Sequence, residues 1–239
     1  MDALAEKLAQ ACKVLADDGQ GDLIWGHVTA RAPDRPDRLL MKPAGIGLEE
    51  MERDEAIIVD LGGEQVAGTR PRHAEVFIHT EIMRARPEVQ AVVHTHPPHA
   101  VAFGALCRPL LPIGHEGALF CDGLPVFDRT SDLIVTPDLG RAVGARLDSS
   151  NALLLRNHGI VTVGRSIEEA VMTAVLLEKA CKVQLLAEHA GGAKATTSRE
   201  EARIKRERIY GAKSLQTAFE YCVRRHDMRH GCCAHHRHG

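Results

Sequence analysis

His94-Thr95-His96 closes a short apolar run, Ala91-Val92-Val93, and two prolines follow it. Alternation along a strand puts both imidazoles on one face, roughly 7 Å apart along it, a spacing that suits two ligands of one ion. Pro97 and Pro98 end the strand pairing, so these imidazoles stand at a strand mouth and not in mid-sheet. His158 lies in Arg156-Asn157-His158-Gly159, a turn between two aliphatic runs that can aim a third imidazole across the sheet. Three neutral nitrogens leave positions open for a carboxylate, water or substrate, which is the pattern of a catalytic site and not of a closed structural one. Nitrogen-rich ligation selects Zn²⁺, Mn²⁺, Fe²⁺ or Co²⁺ over Mg²⁺ and Ca²⁺, with one divalent transition metal expected per subunit. Glu75, at a helix start where the dipole favours its charged form, is a fourth ligand or a base that swings off the metal.

These side chains need elements to hold them. Leu4, Leu8, Ala11, Cys12 and Leu15 share one helical face, so an amphipathic helix is predicted from about 2 to 18, stopping at Gly19. Strands are predicted at Leu23 to Trp25, Val28 to Arg31, Leu39 to Met41 and Ala56 to Val59, between Gly, Pro and Asp clusters. Val76, Ile78, Ile82 and Met83 mark a helix over about 74 to 85, with Glu75 in its first turn, and Pro87 separates it from the strand Ala91 to His96. Thr136-Pro137-Asp138 caps a helix to about Leu147, which leads into strands at Ala152 to Leu155 and Ile160 to Val163. Ser166 and Glu169 form a capping box for a long helix that ends near His189, before Gly191-Gly192. The division read from this pattern is a catalytic domain over 1–190, then 191–239: a small polar hinge, a charged helix from Arg199 to Val223, and a frayed His/Cys-rich tail from His226.

Composition narrows the partners. A chain of 239 residues can bury a full core as one α/β domain. Thirty basic and 32 acidic residues are intermixed to a net charge of −2, which leaves no footprint for nucleic acid, and 3% aromatics supply no base-stacking surface. The amino-terminal stretch lacks a basic cluster before an apolar run, and no run reaches membrane-spanning length. Seven cysteines at scattered spacing read as reduced thiols. A cytoplasmic protein with a small-molecule substrate is expected, bound neither to nucleic acid nor to a membrane.

Five motifs now stand in order: Gly26-His27-Val28-Thr29-Ala30-Arg31, Lys42-Pro43-Ala44-Gly45, Pro71-Arg72-His73-Ala74-Glu75, Ala91-Val92-Val93-His94-Thr95-His96-Pro97 and Arg156-Asn157-His158-Gly159. Over about residues 1 to 190 the chain resembles the class II aldolase/adducin family. The resemblance implies a three-layer α/β/α sandwich around a largely antiparallel central sheet. It also implies a homotetramer with active sites at subunit interfaces. By position it makes His94, His96 and His158 the metal ligands and Glu75 the catalytic acid/base, able to bind the ion when substrate is absent. Sugar-phosphate members hold phosphate with an Asn, a Thr and two Ser side chains, where this chain has His27, Ala44, His73 and Ala74. Without hydroxyl and amide donors a buried dianion loses several kcal/mol of solvation. His27, Arg72 and His73 can instead pair with a planar carboxylate, so the chain resembles more closely the decarboxylases of hydroxylated aromatic or dienoic acids.

The expected activity is therefore a metal-dependent carbon-carbon lyase. The metal acts as a Lewis acid on an oxygen next to the bond that breaks, whether the departing group is CO₂ or an aldehyde. Proton donors are Glu75 first and His115 second; His115 falls near where sugar-phosphate aldolases place a tyrosine from the neighbouring subunit. An aldolase or epimerase acting on a non-phosphorylated hydroxy-carbonyl compound is the alternative. An adducin-like binding module and an iron oxygenase complete the field. The tail Arg229-His230-Gly231-Cys232-Cys233-Ala234-His235-His236-Arg237-His238 carries soft ligands without an element to fix them, and no structured second site is assigned to it.

Overall fold

The computed structural model describes residues 1–231. Helix α1 (Asp2–Leu15) opens the chain, and a wide turn over Ala16–Gln20 follows, bent by Gly19 at φ 80°. Eight strands form one sheet: β1 (His27–Ala32), β2 (Arg35–Met41), β3 (Ile57–Asp60), β4 (Gln65–Ala67), β5 (Ala91–Thr95), β6 (Val126–Phe127), β7 (Ala152–Leu155) and β8 (Gly159–Gly164). Their order across the sheet is β4-β3-β2-β1-β5-β8-β7-β6. Every neighbouring pair is antiparallel except β6 with β7. Helices α2 (Val76–Ala85), α3 (Pro98–Ala105), α4 (Pro137–Leu147), α5 (Ile167–His189), α6 (Arg199–Ile209) and α7 (Ala212–His230) complete the described chain.

Strand alternation sorts the apolar residues into two cores. Val28, Ala30, Leu40, Ala91, Val93, Leu154 and Ile160 face one side, where α1, α3, α5 and α7 bury Leu8, Phe103, Val171 and Phe219. Leu39, Met41, Val92, Leu153, Val161 and Val163 face the other, against Ile78 and Ile82 of α2 and Val143 of α4. The result is the three-layer α/β/α sandwich expected. Both edges are short, three residues at β4 and two at β6, which gives little template for pairing with another chain. By the same alternation His27, Thr29 and His94 point to the α2 side, beneath the start of that helix.

Several expectations need correcting. Leu23 to Trp25 is not a strand: only a bridge between Asp22 and Trp25 forms, and Leu23 and Trp25 are 72% and 50% exposed. The charged helix predicted from Arg199 to Val223 is two helices, broken at Tyr210-Gly211 where Gly211 takes an extended backbone. The chain does not fray at His226, since α7 continues to His230, with Leu215, Phe219 and Cys222 packed into the core. Helix α3 follows the two prolines directly, Pro98 serving as its first residue, where only the end of a strand was expected. Residues Cys232 to His238 lie outside the described residues. Among the described residues no helix is long and apolar enough to cross a membrane.

Candidate metal centre

Strand β5 ends at Thr95, leaving His94 on the sheet and His96 just past it. The β7–β8 turn carries Asn157 in the left-handed region at φ 57° and lifts His158 to the same sheet end. Gly159 is needed for space: a Cβ there would lie 2.5 Å from the Thr95 carbonyl and 2.7 Å from His96 Cδ2. Glu75 caps α2, its carboxylate buried beneath the loop that precedes α4. Glu75 Oε2 lies 3.6 Å from His94 Nε2 and Oε1 lies 3.5 Å from His158 Nε2. The Ile134 N–H donates to Oε1 at 2.9 Å. Burial alone would raise the Glu75 pKa, but His158 and His94 outweigh it and hold the carboxyl well below the usual range.

The proton positions on the three imidazoles follow from their partners. His94 Nδ1 sits 2.9 Å from the Ile160 carbonyl, which only accepts, so Nδ1 carries the proton and Nε2 a lone pair. His96 Nδ1 stands 3.0 Å from Asp22 Oδ2, which fixes the same tautomer. Burial, then His94 and His158, pushes the His96 pKa down to about 4, so the ring is neutral at pH 7. The two Nε2 atoms are 3.1 Å apart, and neither has a proton to give the other. Both nitrogens of His158 are buried without a hydrogen-bond partner. Lone pairs facing one another beside a carboxylate repel unless a cation is shared between them. Nitrogens bound to one ion at about 2.0–2.1 Å stand roughly 3.0–3.4 Å apart, so the residues present fit a divalent transition metal.

Beside this group lies a second set of histidines. His27 is paired in register with His94 across β1 and β5. Its Nδ1 is 2.6 Å from His79 Nε2, and His79 Nδ1 is 2.8 Å from Thr29 Oγ1, all three buried. Burial, with His73 the next cause, pushes His27 well below its ordinary pKa, and burial with His94 does the same to His79, so both are neutral. The His73 ring packs on His27 with centroids 4.3 Å apart, and its Nε2 donates to the Pro43 carbonyl at 3.0 Å. Burial and the neighbouring Lys42 bring His73 down to about 3. Lys42 is itself fully buried, its ammonium held by the Pro43 carbonyl at 3.2 Å and the Ile24 carbonyl at 3.4 Å.

Six of the eight side chains read from the sequence meet here: His27, His73, Glu75, His94, His96 and His158. Arg72 packs its guanidinium 5.8 Å above the Phe77 ring and donates to the His73 carbonyl at 3.0 Å. His115 is exposed at the start of a short 3₁₀ turn, apart from the cluster. Asp22, His79, Thr29 and the Ile134 N–H went unread, because strand register and loop closure bring them in and no local motif marks them. The cleft over the site, about 490 Å³, is lined by Asp22, Trp25, Glu75, His96, Leu133 and His158. Its rim includes Trp25 and Leu133, each 50% exposed, which gives a polar floor an apolar mouth.

Comparison with known proteins gives the context. The family model described as class II aldolase and adducin N-terminal domain matches residues 6–185. A protein of Streptomyces roseochromogenus subsp. oscitans named 4-hydroxy-3-prenylphenylpyruvate oxygenase/4-hydroxy-3-prenylbenzoate synthase is 38% identical over 174 residues, 72% of this chain. The chain spans only 63% of that protein's length. The 3,4-dihydroxyphthalate decarboxylase of Arthrobacter keyseri is 33% identical over 203 residues, covering 79% of this chain and 80% of the relative. Among solved structures, L-fuculose 1-phosphate aldolase from Glaciozyma antarctica PI12 superposes with a TM-score of 0.85 at 27% identity, over 96% of this chain and 90% of that one.

Proposed function

The chain belongs to the class II aldolase and adducin family, and from that premise we propose that it is a divalent-metal-dependent lyase that decarboxylates a hydroxylated aromatic acid. The observation that carries the reading is the set of unpaired imidazole nitrogens of His94, His96 and His158 around the ionised Glu75, at the floor of the cleft that Asp22, Trp25 and Leu133 line. Similarity to a relative named for 3,4-dihydroxyphthalate supports the substrate class.

His94, His96 and His158 would hold the ion, with Glu75 as a fourth ligand until substrate enters. When bound, the ion supplies Lewis acidity that draws off the negative charge accumulating on substrate oxygen. The chain's own groups do the rest. His27 would receive the substrate carboxylate, joined by Arg72 once its guanidinium leaves the His73 carbonyl, and His73, its Nε2–H already committed to Pro43, packs the His27 ring in place. Glu75, held ionised, takes the proton of the ring hydroxyl and delivers it to the ring carbon. The electron pair of the breaking C–C bond is released into the ring as CO₂ leaves, and the hydroxyl regains a proton from water. Ile134 keeps the Glu75 carboxylate aimed through this exchange, and the apolar rim of Trp25 and Leu133 limits access of bulk water. His115 would complete a neighbouring subunit's site in a homotetramer, as the second proton donor.

The test is CO₂ release from hydroxybenzoate- and dihydroxyphthalate-type acids by the full chain supplied with Zn²⁺, Mn²⁺, Fe²⁺ or Co²⁺. Silence across that panel, with aldehyde released from a non-phosphorylated hydroxy-carbonyl compound, would replace the reading by an aldolase. A second reading, an iron oxygenase, is favoured by the name of the 38% identical relative. Turnover without O₂ excludes it.

A further inference from the structure

A second cluster of metal-binding side chains lies away from the cleft. His226 and His230, one helical turn apart on α7, face the wide turn after α1. Asp17 of that turn stands 3.2 Å from His226 Nδ1 through one carboxylate oxygen and 3.2 Å from His230 Nε2 through the other. The two rings lie with centroids 4.5 Å apart. The Asp17 side chain is only 12% exposed, and among the described residues its partners are these two imidazoles alone. Lys13, the ammonium lining the same cleft, is taken up by Glu52 at 2.7 Å.

A largely buried carboxylate whose side-chain partners are two imidazoles brings three ligand atoms to one point. From this arrangement we propose that Asp17, His226 and His230 bind a divalent transition metal of the Zn²⁺ or Co²⁺ class, separate from the ion of the active-site cleft. Two imidazoles and a carboxylate on one side of an ion leave its outer positions to water, and the contact distances match those of ligands sharing one centre. Hard cations such as Mg²⁺ are excluded by the nitrogen donors. The ion joins α7 to the turn that α1 feeds, so it fastens the carboxyl-terminal helix to the amino-terminal one. His226 and His230 are available only because α7 continues past Val223.

Equilibrium dialysis of the full-length chain against Zn²⁺, with ions per chain counted by atomic absorption, tests this. The background replaces Cys232, Cys233, His235, His236 and His238 by serine, which removes the other donors of the tail. In that background His230→Ala and, separately, His226→Gln are expected to hold one ion fewer than their parent. His158→Ala is expected to retain this ion, with a melting temperature that still rises on adding Zn²⁺ until His230→Ala is combined with it. His230 is exposed, so its replacement leaves α7 folded, as circular dichroism would verify. Equal ion counts in the parent and His230→Ala overturn the proposal whatever that count is, and independently of the active-site ion.

Discussion

Replacing Asp22 by alanine isolates what orientation of one imidazole is worth. Its carboxylate accepts from His96 Nδ1 at 3.0 Å and thereby fixes which nitrogen faces the other two histidines. Loss of such an outer partner lowers metal affinity by roughly 10- to 100-fold. The Asp22 side chain is 43% exposed and His96 16%, so water shares the contact and the lower end applies. The expected loss is about tenfold, or ~1.4 kcal/mol. Asp22→Asn keeps an acceptor but not the charge and should lose only about two- to threefold. The assay is competition for Zn²⁺ against a chromophoric chelator at pH 7.5, with circular dichroism to verify the fold. Wild-type affinity in Asp22→Ala would refute the reasoning, because it would mean that His96 either does not bind the ion or needs no partner to do so.

Other outcomes follow from the same geometry. Glu75→Gln should keep the fold and the Ile134 contact while turnover falls by roughly 10²–10⁴-fold, measured as CO₂ release; full activity would remove Glu75 from proton transfer. Arg72→Ala should raise KM for the acid and leave kcat nearly unchanged, so an unaltered KM would place the carboxylate anchor elsewhere. Gly159→Ala drives a methyl onto the Thr95 carbonyl and the His96 ring, costing about 1–3 kcal/mol in urea unfolding and loosening the ion; wild-type stability would show that the turn can give way. Asp18 is raised by burial to about 6, so the folded chain holds a proton that the unfolded chain releases near pH 4. Its penalty grows as pH rises from about 4 to 6 and is complete above that, so Asp18→Asn should stabilise by roughly 1–3 kcal/mol at pH 8 and by almost nothing at pH 4. Equal melting shifts at both pH values would contradict the burial argument.

The clustered histidines His94, His96 and His158 were legible because each sits where a strand stops, and stops leave marks: two prolines after His96, a glycine after His158. Glu75 was legible from its place at a helix start, although it occupies the cap and not the first turn. The partners that orient these groups left no such trace. His79 reads as one more residue of an amphipathic helix until β1 and β5 pair and bring His27 under it. Leu23-Ile24-Trp25 has the composition of a strand, yet it lies beside the cleft with its side chains toward solvent, because β-propensity reports fit to a half-buried surface and not the surface's identity. The break between α6 and α7 hung on Gly211 alone within a run of charges, and charge patterns continue unchanged across a helix boundary.

The site draws on β1, the start of α2, the end of β5 and the β7–β8 turn, and His158 follows His96 by more than sixty residues. A partly assembled chain therefore offers an incomplete set of donors, and His158 arrives only when β8 docks on β5. Occupancy by the proposed ion would then work as a quality check on folding itself, rewarding the completed sheet. On the proposed ligation, a lesion that slips the β5–β8 register would part His158 from His94 and with it cost the ion its third imidazole.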